Sequence, residues 1–323
     1  MKLSKETIKD LFPNLTDTIN LEMQKKEDRK TITKIQPLKE TEYPAYLKEI
    51  YKFKTGKELN LENPERFTEK IQWRKLYDRN PLYSELSDKY LVRKWVEEKI
   101  GSDYLVPLVG AWEHFDQIDF GQMPDQFVLK TNNASHTNII VTDKKQFMRR
   151  KWSAKRRMEY WLRTPFAFLE GLELHYQGIK PLIIAEEYLQ PENGGSSLTD
   201  YKFYCFNEAP YLCQVISDRS HGETIDFYDT KWEHMAISRP PYQNARKAIK
   251  KPEKYDLMVK LAAELCRGFQ YVRVDLYEHV GKIYFGEMTF TPASGMMRFD
   301  PDEWDYKLGA LWDLAPRQTA AYQ

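Results

Sequence analysis

A chain of 323 residues is long enough to bury a substantial core and to form one large domain or two lobes. Its formal net charge of +1 gives no overall field to draw nucleic acid or an anionic membrane. No apolar run reaches the roughly 18 residues that a spanning helix needs.

Residues 1–42 are polar and lysine-rich, with amphipathic fragments at Ile8, Leu11, Leu15 and Ile19. They predict a peripheral helix and then a connector reaching Pro37. The N-terminus (MKLSKETIKDLF) lacks the apolar core of a secretory signal, so the expected location is cytoplasmic. A helical region follows over 43–86. YLKEIYKFKTG stops at Gly56, and Pro64 opens a second helix, PERFTEKIQWRKLYD, with Phe67, Ile71 and Leu76 marking its buried side. Packing on the lobe that follows, or shaping its acceptor side, is the role expected of it. In LSDKYLVRKWVEEKIG, Ser87 or Asp88 can cap a helix with Leu91, Val92, Trp95, Val96 and Ile100 as apolar positions, closed by Gly101. Lys89 falls in its first turn, near the positive end of the helix dipole, where a cation is better explained if it faces an anion.

QFVLKTNNASHTNIIV predicts a strand ending at Lys130, a small polar loop, and a second strand from Asn138 to Val141. Thr131, Asn132, Asn133, Ala134, Ser135 and Thr137 leave the backbone free to wrap its N–H groups around phosphate, although the glycines and GK[ST] ending of a Walker A loop are absent. His136 either touches a phosphate oxygen or is a plain loop histidine. The basic run that follows, from Lys144 to Arg157 with Trp152 and Trp161 in or near it, reads as a solvated helix face. The alternative is a surface for an anionic saccharide or lipid-linked diphosphate, and no base-reading motif accompanies it.

PLIIAEEYL (181–189) is a buried apolar strand running into two acids and an aromatic, a pattern that fits either an interlobe hinge or an ordinary strand end. After the loop PENGGSSLT, DYKFYCFNEAPYLCQVISDR predicts a hairpin turning over Asn207–Pro210. Alternation puts Lys202 and Tyr204 on one face, away from Tyr201 and Phe203. Cys205 and Cys213 fall on neighbouring strands and Cys266 on a helix. Without zinc spacing or an even-numbered framework, they read as reduced core thiols.

The most informative stretch is YVRVDLYEHVGKIYFGEMTFTPASG (271–295), which reads as a hairpin. Arg273 and Asp275 share one face, and Val272, Val274 and Leu276 the other. His279 to Lys282 supply the turn, and the return strand places Phe285, Glu287 and Thr289 together. Asp275 therefore faces Phe285 or Glu287, depending on register. Like charges side by side weaken a sheet, but two carboxylates suit a divalent cation that completes its shell with water and nucleotide phosphates. The alternative is an edge hairpin with solvated charges.

In this order the motifs resemble the ATP-grasp superfamily, and most closely its TupA-like family from bacterial surface-polysaccharide loci, over roughly residues 43 to 315. The resemblance implies an α+β ATP-grasp fold with two α+β lobes clasping nucleotide and a helical N-terminal region. It divides the chain into an N-terminal segment (1–42), a helical region (43–86), an N-terminal lobe (87–185) and a C-terminal lobe carrying the metal site (186–323). Lys89, Lys130 and the loop with Asn132, Asn133, Ser135 and His136 correspond to phosphate-binding residues. Glu186, Glu187, Tyr188 and Leu189 correspond to the adenine and ribose hinge, with Asp200 a ribose or substrate contact. Arg273 corresponds to the transition-state cation, and Asp275 and Glu287 to the metal ligands. Thr289 stands where many ATP-grasp enzymes have asparagine, and TPASG resembles the small-residue loop that often faces substrate.

The implied chemistry is ATP-dependent carboxylate–amine ligation with Mg²⁺. The acid would be a uronate, such as a glucuronate on a nucleotide or lipid carrier, the acceptor a small amine, and Lys202 and Arg219 would hold the sugar acid. Two other activities compete: a glycan or small-molecule kinase using the same ATP site, and a glycosyltransferase, for which Asp300-Pro301-Asp302 superficially matches a metal-binding D-x-D. Asp300 and Pro301 equally make an ordinary helix start.

Overall fold

The structure is a computed structural model that describes residues 13–191, 198–217 and 222–314. Ile8, Leu11 and Arg219, with the side chain of Leu15, lie outside the described residues. Helices α1 (Pro13–Ile35), α2 (Tyr43–Thr55), α3 (Phe67–Tyr77), α4 (Leu82–Ser87) and α5 (Val92–Ile100) precede strand β1 (Leu108–Trp112). Strands β2 (Phe127–Thr131) and β3 (Asn138–Val141) follow, then helices α6 (Lys144–Arg149) and α7 (Lys151–Arg163) and strand β4 (Ile183–Glu187). The remainder runs β5 (Asp200–Phe206), β6 (Ala209–Ser217), β7 (Thr224–Asp229), α8 (Tyr255–Leu265), β8 (Tyr271–His279), β9 (Lys282–Thr289) and α9 (Glu303–Ala310). Among the described residues no helix is long and apolar enough to cross a membrane.

Two compact units share the chain. One takes in residues up to Lys39, Pro107–Leu169 and Tyr176–Tyr188; the other takes in Glu40–Val106, Glu170–His175 and the chain from Leu189 onward. Unit 1 holds an antiparallel sheet of order β1-β4-β2-β3. One face of it, with Phe127, Leu129, Val141, Ile183 and Ala185, packs with Met158 and Trp161 of α7 and the ring of Phe115. Arg157 and Arg156 turn to Asp17 and Glu22 of α1, while Trp152 stays exposed.

Unit 2 holds an antiparallel sheet of order β7-β6-β5-β8-β9. Strict alternation sends Tyr201, Phe203, Cys205, Cys213, Val272, Val274 and Leu276 to one face, against Met258, Leu261 and Leu265 of α8. All three cysteines are free and buried. The opposite face divides in two. One half is aromatic, with Tyr204, Phe206 and Tyr271 around Phe67 of α3 and Trp312; the other half is charged.

Local chemistry sets the strand register. Val280 (φ 49°) and Gly281 (φ 64°) form the two-residue turn of β8–β9, and Asn207 (φ 48°) and Glu208 (φ 65°) that of β5–β6. The second turn is tighter than the four-residue turn expected, because paired left-handed residues match the twist of adjacent strands. The return strand departs from simple alternation. Asp275 pairs with Glu287 but Leu276 pairs with Phe285, so Gly286 is an extra residue in a β-bulge. The bulge turns Phe285 into the α8 core, away from Glu287 and Thr289, whose face it was expected to share. A Cβ on Gly286 would stand 2.7 Å from the Tyr277 ring and 3.1 Å from the Asp275 carbonyl oxygen, so only glycine fits without rearrangement.

Helix α3 begins at Phe67, later than Pro64. The Glu69 carboxylate accepts the N–H groups of Glu65 and Arg66, each at 3.0 Å, and so closes the helix start. Nearly the whole helix is buried, polar side chains included.

Candidate active site

The charged half of the unit 2 sheet is a ladder of cross-strand pairs. Lys202 of β5 faces Asp275 of β8, Asp275 faces Glu287 of β9, Tyr204 faces Arg273, and Arg273 faces Thr289. Side chains at paired positions point the same way, so six strand positions converge. Arg273 grips Asp275 bidentately, Nε to Oδ1 and an Nη to Oδ2, both at 2.7 Å. The same Nη donates to Glu287 at 2.8 Å and to the Thr289 hydroxyl at 2.9 Å, and that hydroxyl donates to Glu287 at 2.8 Å. Lys202 donates to the Asp275 carboxylate and lies 3.6 Å from Asp200.

Burial separates the two acids. Asp275 is 0% exposed, and desolvation pushes its carboxyl above the usual range although Arg273 and Lys202 pull it back. The Glu287 side chain is 37% exposed. There burial also opposes ionisation, but Lys202, Arg273 and Lys89 outweigh it and hold the carboxyl at about 2. Glu287 is thus an ionised, accessible oxygen donor, whereas both Asp275 oxygens are engaged by cations. No cluster of three or more His, Cys, Asp or Glu able to hold a metal occurs among the described residues. A metal here would use Asp275, Glu287 and the Thr289 hydroxyl, hard oxygens of the kind Mg²⁺ accepts with water filling the rest.

Lys89 sits in the turn before α5, which the Asp88 carboxylate caps by accepting the N–H groups of Tyr90 at 2.7 Å and Leu91 at 3.2 Å. Expected from the N-terminal lobe beside Lys130, it belongs instead to unit 2 with the acids, and it is among the cations that keep Glu287 ionised.

Below β9, residues 293–295 of the TPASG segment are all left-handed: Ala293 (φ 46°), Ser294 (φ 52°) and Gly295 (φ 66°). Two side chains of α3 hold this turn. Gln72 donates to the carbonyls of Ser294 (2.8 Å) and Gly295 (3.0 Å), and Lys75 donates to the Ser294 carbonyl and hydroxyl, both at 2.6 Å. The sequence gives α3 a packing or acceptor-shaping role and singles out neither residue. Glutamine and lysine beside tryptophan and arginine look like a solvated face, and only the burial of nearly the whole helix reveals their use.

In unit 1, Lys130 pairs with Glu186 at 2.5 Å, joining an expected phosphate ligand to an expected hinge residue. Thr131 and Thr137 close the neck of the 132–136 loop through a hydroxyl–hydroxyl bond of 2.6 Å. Asn132 is taken up by structure. Its N–H donates to Leu182 O, its amide donates to Lys180 O at 3.0 Å, and its amide oxygen accepts from Leu182 N at 2.7 Å. Asn133 is buried with an unpartnered amide oxygen, whereas Ser135 and His136 are exposed, His136 at φ 58°. Glu187 and Tyr188 border an open groove of about 710 Å³ with Lys144, Lys145 and Asp125. The chain leaves unit 1 between Tyr188 and Leu189.

The D-x-D reading finds no support in the geometry. The Asp302 carboxylate is bound by Lys57 and lies 3.5 Å from Arg66, and the Asp300 backbone pairs with Ser238 ahead of α9.

No curated protein sequence matches the chain. Solved structures similar to it include D-alanine–D-alanine ligase from Bacillus anthracis complexed with ATP, at 15% identity and a TM-score of 0.37, covering 65% of this chain and 55% of that one. D-alanine–D-alanine ligase from Helicobacter pylori matches at 13% identity and 0.38, covering 72% and 60%. The ATP-grasp ligase PsnB complexed with minimal precursor matches at 14% identity and 0.36, covering 65% and 54%. The chain therefore spans little more than half the length of the structures it matches. The family model described as TupA-like ATP-grasp matches residues 69–313, from the third residue of α3 to beyond α9. The chain belongs to the TupA-like ATP-grasp family.

Proposed function

We propose that this protein is an ATP-dependent carboxylate–amine ligase that activates a uronic or similar sugar acid for bacterial capsule or surface-polysaccharide biosynthesis. The carboxylate oxygen attacks the γ-phosphorus of ATP, ADP leaves, and an acyl phosphate forms. A neutral amine then attacks the carbonyl carbon, the C–N bond forms, the C–O bond to phosphate breaks, and phosphate is released. The observation that carries this reading, beside family membership, is the convergence of Arg273, Asp275, Glu287, Thr289 and Lys202 on one sheet face.

Each residue has a physical task in it. On unit 1, Lys130 and the loop with Asn133, Ser135 and His136 would neutralise nucleotide phosphates, and Glu186, Glu187 and Tyr188 would line the nucleotide's base and sugar; Leu189 and Asp200, of unit 2, are assigned the same role. The fixed Asn132 amide serves to hold the loop. On unit 2, Asp275, Glu287 and Thr289 would hold Mg²⁺, which supplies charge neutralisation on the transferring phosphoryl group. Arg273 is already oriented by two acids, so it can stabilise the acyl-phosphate oxygens without reorganising at the moment of reaction. Lys202, Lys89 and Arg219 would bind the acid substrate and phosphate oxygens. The same carboxylate chemistry serves a sugar acid carried on a nucleotide and one carried on a lipid.

The test is a panel of uronic acids against amines, scored for ADP and phosphate release, with wild type and Asp275→Asn. The expected result is acid- and amine-dependent release of both products, lost in the variant. Label from the γ-phosphate of ATP appearing on the sugar product rather than as free phosphate would assign a kinase. Activity undiminished in Asp275→Asn would remove the acids from the mechanism.

A further inference from the structure

We propose that Glu173 is the proton acceptor that converts the incoming ammonium substrate to the nucleophilic amine, an inference that rests on the ligase reading above. The amine nitrogen gives its proton to the Glu173 carboxylate. Its freed lone pair then forms the C–N bond while the C–O bond to phosphate breaks, and the nitrogen's second proton leaves with the phosphate.

Glu287 and Thr289 of β9 point to the charged face, and the same period of two carries on past the strand end to Thr291. The Thr291 hydroxyl donates to Glu173 Oε1, so the carboxylate is tied to the row that carries the acids. Glu173 belongs to a short excursion, Glu170–His175, that clusters with unit 2 between two segments of unit 1. The excursion is anchored beneath the left-handed 293–295 turn. Lys75 donates to Gly171 O at 2.8 Å, and the Ser294 hydroxyl donates to Glu170 O. Lys75 spends its donors on Gln72, Gly171 and Ser294, so it sits near Glu173 as a charge and forms no ion pair with it among the described residues.

The electrostatic setting fits a base. Glu173 is half-buried, and desolvation pushes its carboxyl up to about 7. Lys75 of α3 and the Thr291 hydroxyl pull it down, while Glu170 on its own segment and Glu287 on β9 push it up. A carboxyl balanced near neutrality can accept a proton and still be deprotonated between turnovers. Glu287, held at about 2, is too weak a base for that task, and both Asp275 oxygens already accept hydrogen bonds from cations. His175, the neighbouring imidazole, is buried, with its pKa lowered to about 3, and cannot share the role.

The test compares two nucleophiles on glucuronate with Mg·ATP. Ammonium ion must lose a proton to react, whereas hydroxylamine is largely uncharged at neutral pH and traps an acyl phosphate as hydroxamate without a base. Glu173→Gln should lower amide formation from ammonium about 100-fold or more and leave hydroxamate formation within about two-fold. In wild type the ammonium rate should fall as pH drops through about 7, and this limb should vanish in Glu173→Gln. Glu173→Asp should recover part of the rate. Should Glu173→Gln fold poorly, Thr291→Val decides: losing the donor that lowers the carboxyl's pKa should move the acid limb to higher pH. Equal losses with both nucleophiles, or an acid limb unmoved in Thr291→Val, would overturn the role of Glu173 while leaving the ligase intact. No hydroxamate from wild type with any sugar acid would overturn the ligase reading, and this inference with it.

Discussion

Replacing Arg273 by methionine tests whether the charged patch acts as one unit. Asp275 is fully buried and draws two of its hydrogen bonds, both at 2.7 Å, from Arg273. Removing one partner of a buried charge pair typically costs about 3–5 kcal/mol, because the other charge is left uncompensated. Lys202 remains on Asp275, so the lower end, about 3 kcal/mol, is expected. Asp275→Asn alone keeps Arg273 bonded to Glu287 and Thr289 and should cost about 2 kcal/mol, the worth of charge-assisted hydrogen bonds. The double variant removes both charges of the Arg273–Asp275 pair together and should lose about 2 kcal/mol less than the sum of the two. Acid should also rescue Arg273→Met selectively. Burial already lifts the Asp275 carboxyl above its ordinary value, and losing Arg273 lifts it further. A carboxyl raised on folding binds more protons in the folded state, so stability falls as pH rises above the unfolded pKa and returns as pH falls. Urea midpoints of the four proteins at pH 5.5 and pH 8, values chosen on the order of the window in that linkage, measure both effects. Additivity within about 0.5 kcal/mol, or a deficit independent of pH, would refute the coupling.

Three further outcomes can be checked on the same purified protein. Gly295→Ala puts a Cβ 2.4 Å from Gln72 Nε2 and 2.8 Å from Ile71 on a residue at φ +66°; a loss of about 2–4 kcal/mol is expected from strain and overpacking combined, read by urea unfolding. Phe67→Ala removes a fully buried ring in contact with Tyr204, Phe206, Tyr271, Phe299 and Trp312 and should cost about 3–5 kcal/mol, read as a fall in the urea midpoint. The carboxyl of Glu287 is lowered on folding, so its contribution is present above its ordinary 4.5 and lost as pH falls toward 2. In Glu287→Gln that part of the acid-induced loss of stability should be missing from denaturation curves between pH values of about 5 and 3.

The parts of this molecule that were legible in the sequence are those fixed by short-range rules. Period-two alternation placed Arg273 with Asp275, and Lys202 with Tyr204, on the correct sides of their strands. Gly56 ends α2 in the left-handed conformation that its glycine announced. What alternation could not supply was the extra residue at Gly286. A bulge depends on how Tyr277 and the Asp275 carbonyl crowd that position, and those neighbours lie on another strand. The bulge also settles the choice left open by the hairpin: Glu287 faces Asp275 directly, and Phe285 is sent to the core. Asn132 shows the same limit from the other side. A small polar loop residue looks like a phosphate ligand until Lys180 and Leu182, about fifty positions away by sequence number, claim its amide.

Helix α3 carries this argument furthest. It lies outside every nucleotide motif, yet Phe67 fills the aromatic half of the sheet face, Arg74 donates to the carbonyls of Tyr271 and Phe290 at 3.0 and 3.2 Å, and Gln72 and Lys75 clamp the turn after β9. Arg74 and Lys75 bring positive charge into a buried layer, and Arg74 is enclosed by the rings of Tyr83 and Trp312. Burying such groups is costly unless every donor is met, so a helix of this composition is stable only when β8, the end of β9 and the 170–175 segment are already in place around it. Strand β8 brings the acids, the turn after β9 brings Ser294, and the 170–175 segment brings Glu173. One helix therefore fixes the relative positions of the three elements on which the proposed chemistry depends, and a change at Gln72 or Lys75 should disturb the chemistry without touching a residue that meets nucleotide.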